Sequence, residues 1–362
     1  METVVWVGFS IALFAGILTV TKKQINVSDK LLSALLFLLA IDYGNIGITY
    51  LSYDTTIIPS SFFLFNPAFY LYSRSLTDEK FRLRWVQLLH LVPYVFFEFS
   101  NHYFTLIFNV DVFFIRDNNL WIRLLFSLSF VISLVAYNAF SISAVHKHRI
   151  NLKNEFSNIS QNQKLGWLLF VVISYNVYVY TATVLGLFGF FYNDFVASSI
   201  FNYSATLGIT FALGFYGIRQ DEIYKIKSEK TEPDHREERY KKSKLADGKK
   251  EDIKIQVLTY FQEKAPYLNP ELSMFLLSEE LNIPKHQLTE VLNTIIGKNF
   301  FQFVNEYRVE AVKQKLSDTN YNKFSIEVIG YDCGFSSKSS FFSVFKNITG
   351  QTPSQFKNSI SS

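Results

Sequence analysis

Up to about residue 218 the chain is a succession of apolar runs, and nothing else in the sequence restricts the fold as strongly. The runs lie near 3–20, 31–52, 56–73, 83–104, 121–145, 165–190 and 195–218. At a rise of about 1.5 Å per residue, a helix over each can cross a hydrocarbon layer of about 30 Å. The weaker signals are the short first run, the third with Pro59, Asn66 and Pro67, and the fourth with His90, Glu98 and His102. A soluble helical domain shows an apolar stripe, whereas these runs are apolar around the whole circumference. The expectation is an all-α chain whose residues 1–218 form a bundle of seven transmembrane helices.

Basic residues assign an orientation to that bundle. Lys22, Lys23 and Lys30 follow the first run, Arg74, Lys80, Arg82 and Arg84 the third, and Lys147, Arg149, Lys153 and Lys164 the fifth. The alternate loops hold only Arg116, with Arg123 at the start of the next run. Positive charge marks the cytoplasmic side, so seven spans put the N-terminus outside and the C-terminal region in the cytoplasm. The start of the chain lacks a basic region and a cleavage site of the secretory type. The single cysteine, Cys333, excludes an intrachain disulfide and suits a reducing compartment.

Polar side chains at membrane depth are costly and face the bundle interior. Asp42 and Asn45 are three residues apart and share a helix face. With Glu98 they are the candidate ligand-binding residues. Asn138, Asn176 and Asn202 are further interior groups. The plainer alternative for each is an interhelical hydrogen bond. His90, Glu98 and His102 make a poor metal site, because the eight-residue gap spans more than two turns, and no metal or cofactor is expected. The last run has no lysine for a Schiff base, which excludes a retinal protein.

The polymer changes character at residue 219. Of the 35 Lys and Arg, 22 lie beyond that point, with 20 of the 31 Asp and Glu. A net of about +2 does not by itself announce a nucleic-acid binder, so that reading rests on local pattern. Residues 219–249 alternate in charge and read as a juxtamembrane linker. From Lys250 the spacing turns amphipathic, with Ile253, Val257, Leu258 and Phe261 on one stripe.

Two segments then superimpose at a shift of 53 residues: Leu288 on Phe341, Val291 on Val344, Leu292 on Phe345, Ile295 on Ile348, Gly297 on Gly350 and Phe303 on Phe356. The spacing marks the buried face of a helix closed by a glycine cap. A short helix precedes each one. The first covers about 274–281 with Ser273 as N-cap and Asn282 at the turn. The second covers about 326–333 with Ser325 as N-cap and Gly334 at the turn. These are two helix-turn-helix units, about 273–297 and 325–350, joined by a helix over about 299–316. That helix is about 25 Å long, so the two reading helices would stand roughly one DNA turn apart, about 34 Å.

If the apolar stripe is buried, the opposite face reads DNA. It carries Lys285, His286, Gln287, Thr289, Glu290 and Asn293 in the first unit. In the second it carries Lys338, Ser339, Phe342, Ser343 and Lys346. Ser and Thr bond to base edges, Glu accepts from cytosine, an exposed Phe presses a thymine methyl, and lysines hold phosphates.

Residues of about 250–358 resemble the AraC/XylS family of bacterial transcription regulators. The most specific part is IEVIGYDCGFSSKSSFFSVFKNITGQTPSQF, with NEYRVEAVKQKL similar to the family's linking helix. Gly330 replaces the family's usual alanine and should loosen its helix, and Pro284 stands where an N-capping serine is frequent. The resemblance implies sequence-specific binding of double-stranded promoter DNA, and the apolar half resembles the multi-span sensor domain of membrane-bound members. The expected protein is a non-enzymatic regulator in the bacterial cytoplasmic membrane, in contact with the lipid bilayer and an unknown signal ligand or membrane partner, and a candidate homodimer. The alternative is a transporter or channel with a regulatory docking domain. No H-E-x-x-H, G-x-S-x-G or Walker motif supports an enzyme.

Overall fold

The computed structural model describes residues 2–52, 62–78, 81–108, 120–160, 163–192, 195–220 and 247–361. Among these the chain is helical, and its one extended pairing is an isolated antiparallel bridge between Phe156 and Ser273. Two compact units form. One is Met1–Lys147 with Leu165–Lys225, the other His148–Lys164 with Ile226–Ser362.

The first unit contains α1 (Glu2–Val20), α2 (Val27–Ser52), α3 (Phe62–Thr77), α4 (Val92–Phe108), most of α5 (Leu120–Glu155), α6 (Gly166–Tyr192) and α7 (Phe195–Arg219). Residues 56–61 of the third apolar run lie outside the described residues. The fourth run begins as a 3-10 helix, Trp85–Leu91, before α4 takes over at Val92. Among the described residues, Glu2–Val20, Val27–Ile48 and Leu125–Glu155 are long and apolar enough to cross a membrane, and Gly166–Thr181 is apolar but shorter.

Helices α1 and α2 pack closely because α1 presents small residues. A Cβ on Gly8 would lie 2.5 Å from the Tyr43 ring, and one on Gly16 would lie 2.9 Å from Phe37. Ala12 and Ala15 fill the same face, and Ser33 Oγ donates to the Gly16 carbonyl at 3.1 Å. Small residues that let backbones approach are what holds helices together where apolar burial gives little gain. Helix α7 leans on α1 and α2, α6 on α7, and α3 on α2. Helix α5 runs ten residues past the apolar stretch that predicts it, because HKHRINLKNE contains no glycine or proline to stop it.

The second unit contains α8 (Asp247–Lys264), α9 (Met274–Leu281), α10 (Lys285–Val291) with a π-type turn over Leu292–Ile296, α11 (Phe300–Ser317), α12 (Ile326–Asp332), α13 (Lys338–Thr349) and α14 (Pro353–Ser361). Residues 221–246 of the linker lie outside the described residues, and α8 begins inside the stretch read as linker, at Asp247. The central helix α11 serves two cores. Its first half joins Ile253, Val257, Phe261, Met274, Leu277, Leu288, Val291 and Leu292. Its second half joins Ile329, Cys333, Phe335, Phe341, Val344 and Phe345.

Candidate nucleic-acid interface

The first helix pair, α9 and α10, is shaped by local chemistry. Ser273 Oγ accepts from the Leu276 N–H and opens α9. Asn282 takes the left-handed conformation, φ 52°, that turns the chain, and Ser278 Oγ closes the turn by donating to the Ile283 carbonyl at 2.6 Å. Pro284 precedes α10 and provides no side-chain cap. The second pair, α12 and α13, repeats the plan. Ser325 caps α12 and Ser337 caps α13, each hydroxyl accepting a backbone N–H. Gly334 turns the chain at φ 90°, and a Cβ there would come within 2.2 Å of the Tyr267 carbonyl. Gly297 and Gly350 end their helices at φ 75° and 78°, where glycine carries no steric penalty.

The shift of 53 residues holds in the packing for its central members. Leu288 and Phe341, Val291 and Val344, Leu292 and Phe345 are all buried, and Phe356 packs on Phe345 at 5.7 Å. Its outer members depart from it: Ile295 and Ile348 are exposed at 39% and 44%. Each sits in the last turn before its glycine, beyond the end of the core it was expected to join.

Gly330 has a packing role that the sequence does not reveal. It is buried in α12, and a Cβ on it would lie 2.5 Å from the Phe341 ring. The missing side chain admits Phe341 to the core.

The eleven side chains predicted for the reading face separate into three groups. Asn293, Lys338, Ser339, Ser343 and Lys346 are exposed. Lys285, His286, Thr289, Glu290 and Phe342 are half-buried. Gln287 is buried at 8% exposure. Several already have partners: Glu290 pairs with Lys250 at 3.1 Å, Lys285 with Glu155 at 2.8 Å, and Lys338 with Glu327. Thr289 Oγ1 donates back to the Lys285 carbonyl at 2.8 Å. Phe342, expected to be exposed, packs on Phe341 at 5.2 Å, with the Lys338 ammonium 5.8 Å from its ring centre.

Helix α11 is more than a spacer. Asn299 and Gln302 form a reciprocal cap at its start. Arg308, within it, is fully buried. Its guanidinium donates to the carbonyls of Tyr267 at 2.8 Å, Asn269 at 2.9 Å and Ser157 at 3.1 Å, and to Ser157 Oγ at 2.9 Å. Burial pulls its pKa down to about 9, so the group remains charged at neutral pH. Burial also pushes the Cys333 thiol up to about 11. The sequence marks Arg308 only as one cation among several on a charged helix, and nothing local to it signals burial.

In the first unit, a cavity of about 380 Å³ lies among α2, α3, α5, α6 and α7. Asp42, Asn66, Asn138, Tyr175, Tyr178 and Thr206 bring polar atoms to an otherwise apolar wall. Tyr175 donates to Asn66 Oδ1 at 3.2 Å. Of the three predicted ligand residues only Asp42 lines this cavity; Asn45 is buried elsewhere on α2 and Glu98 is half-buried on α4. Among the described residues no three His, Cys, Asp or Glu side chains gather as a metal site.

Residues 277–359 match the family model described as a helix-turn-helix domain. Two uncharacterised HTH-type transcriptional regulators of Staphylococcus aureus, from strains COL and MSSA476, are each 33% identical over 91 residues. The match covers 25% of this chain and only 12% of each relative's length. A solved structure of a protein of unknown function from Listeria innocua aligns at 26% identity over 29% of this chain and 95% of its own, with a TM-score of 0.27.

Proposed function

From the premise that the C-terminal region carries a helix-turn-helix domain of the AraC type, we propose that the chain is a membrane-anchored, sequence-specific transcription regulator. One observation carries this: two helix pairs, each opened by a serine cap at Ser273 or Ser325 and buried on matching registers, flank one helix, leaving Lys338, Ser339, Ser343 and Lys346 on a solvent-facing side. Small hydroxyls beside lysines suit base edges and phosphates. Asn293 and Lys285 are the corresponding groups of the first pair. Gln287, being buried, supports its helix rather than reading a base.

The membrane reading is supported by apolar surface that a soluble protein would not leave to water. On α5 alone Leu125, Leu128, Val131, Ile132, Val135 and Phe140 are all exposed. The proposed arrangement has seven spans with the N-terminus outside and the DNA-binding region in the cytoplasm. The cavity at Asp42 is the proposed signal site. Its apolar wall and single carboxylate suit a small amphiphile carrying a donor or positive group.

The decisive experiment is random-site selection with the full chain in lipid nanodiscs at defined salt. Enrichment of a motif with two half-elements about one helical turn apart is the expected result. Recovery of unenriched sequence would overturn the reading.

A further inference from the structure

The loop between α5 and α6 belongs to the C-terminal unit. Residues 148–164 group with it, and the polar contacts explain why. Ser157 is fully buried. Its hydroxyl donates to the Leu272 carbonyl at 2.5 Å. Its carbonyl accepts from Asn305 Nδ2 at 3.0 Å and Arg308 Nη1 at 3.1 Å, and its hydroxyl accepts from Arg308 Nη2 at 2.9 Å. Asn158 Nδ2 donates to the Pro270 carbonyl at 2.7 Å and to the Gly334 carbonyl at 2.9 Å. Pro270 leads into the first helix pair, and Gly334 is the turn of the second. One amide therefore ties the two pairs together.

Just before Ser157, Glu155 reaches Lys285 at 2.8 Å, at the start of α10. The base of the loop is closed by His148 Nε2 against the Gln163 carbonyl and by Arg149 Nε donating to the Lys164 carbonyl, both at 2.8 Å. The loop thus enters as a preformed finger rather than a loose strand.

We propose that residues 155–160 are an inhibitory ligand in cis for the DNA-binding domain, seated between its two helix pairs. This rests on the DNA-binding reading given above. Seated, the segment acts in two ways. Glu155 neutralises a cation on the proposed reading face and sets a carboxylate where a phosphate would come. Ser157 and Asn158 fix the angle between the pairs through Arg308, Asn305 and three backbone carbonyls. A buried guanidinium needs those acceptors, since an unmatched charge in the interior is costly.

The same segment is the end of α5, which also contributes Phe130 and Asn138 to the cavity wall. A signal molecule that favours one position of α5 can shift the segment between seated and released states, by its differential affinity for the two. Release withdraws the Glu155 carboxylate from Lys285 and lets the helix pairs adjust to DNA.

The test uses the full chain in nanodiscs, a short random-sequence duplex as probe, and two variants. Glu155→Gln leaves the fold intact and removes one charge. It should tighten duplex binding several-fold and steepen the log–log salt dependence by about 0.9, with Glu155→Asp restoring the wild-type behaviour. Asn158→Ala should raise backbone hydrogen exchange over residues 267–272 and 331–336 and also tighten binding. Raised exchange with unchanged or weaker binding would make the segment a brace and overturn inhibition. Unchanged exchange would overturn the docking itself. If neither variant nor their combination binds duplex, the DNA reading fails and inhibition with it, while the exchange pattern still reports whether the finger is seated.

Discussion

Gly330 and Cys333 lie three residues apart and make opposite demands on their surroundings. Gly330 exists so that the Phe341 ring can approach. Gly330→Ala gains up to about 1 kcal/mol of helix propensity but overpacks the second core, which costs about 1–3 kcal/mol. The expected outcome is a net loss of stability in a denaturation experiment, recovered when Phe341 is shortened to Leu in the same chain. A more stable Gly330→Ala protein would refute that account. Cys333 is fully buried with its thiol held protonated by burial. It should resist an aromatic disulfide reagent at neutral pH and react in full once denaturant is added. Fast labelling of the folded protein would mean that α12 opens readily.

The elements show what local letters can and cannot convey. Ser273, Asn282, Gly297, Ser325, Gly334 and Gly350 are legible because a cap or a positive-φ turn is decided within a few residues. Ser337, which the sequence reading did not single out, also caps its helix, and Ser337→Ala should cost about 1 kcal/mol in the stability of α13, read as weaker DNA binding with an unchanged salt slope. Lys346→Ala should instead flatten that slope by about 0.9. The fate of Ile295 and Ile348 was hidden because a helical register does not say where the facing core ends. Arg308 was hidden for a similar reason. Its acceptors come from Tyr267, Asn269 and Ser157, the last 151 residues away along the chain. Among the predicted reading residues, exposure could be foreseen at Ser343 and Lys346 by opposition to the buried stripe. Gln287, at the edge of that stripe, falls on its buried side. Asp42 lines the cavity while Asn45, one turn away on α2, does not, because sequence spacing gives a helix face but not where a cavity begins or ends.

At the scale of the molecule, the reading makes a topological demand. A reporter fused after Ser362 should be active only in the cytoplasm, and an impermeant label should reach a cysteine placed at Thr3 from outside. A C-terminus found on the outer side would end the proposal, because no DNA is there to be bound. The long helix α5 has a further mechanical consequence. At 36 residues it measures about 54 Å, against a hydrocarbon thickness of about 30 Å. Such a rod behaves as a lever. A tilt of only about 3° about its outer end would swing the inner tip by about 3 Å, comparable to the length of a hydrogen bond. If α5 spans the bilayer as proposed, a shift of about 1 Å at Phe130 and Asn138 would then be magnified into the making or breaking of a polar contact at the inner tip of the helix.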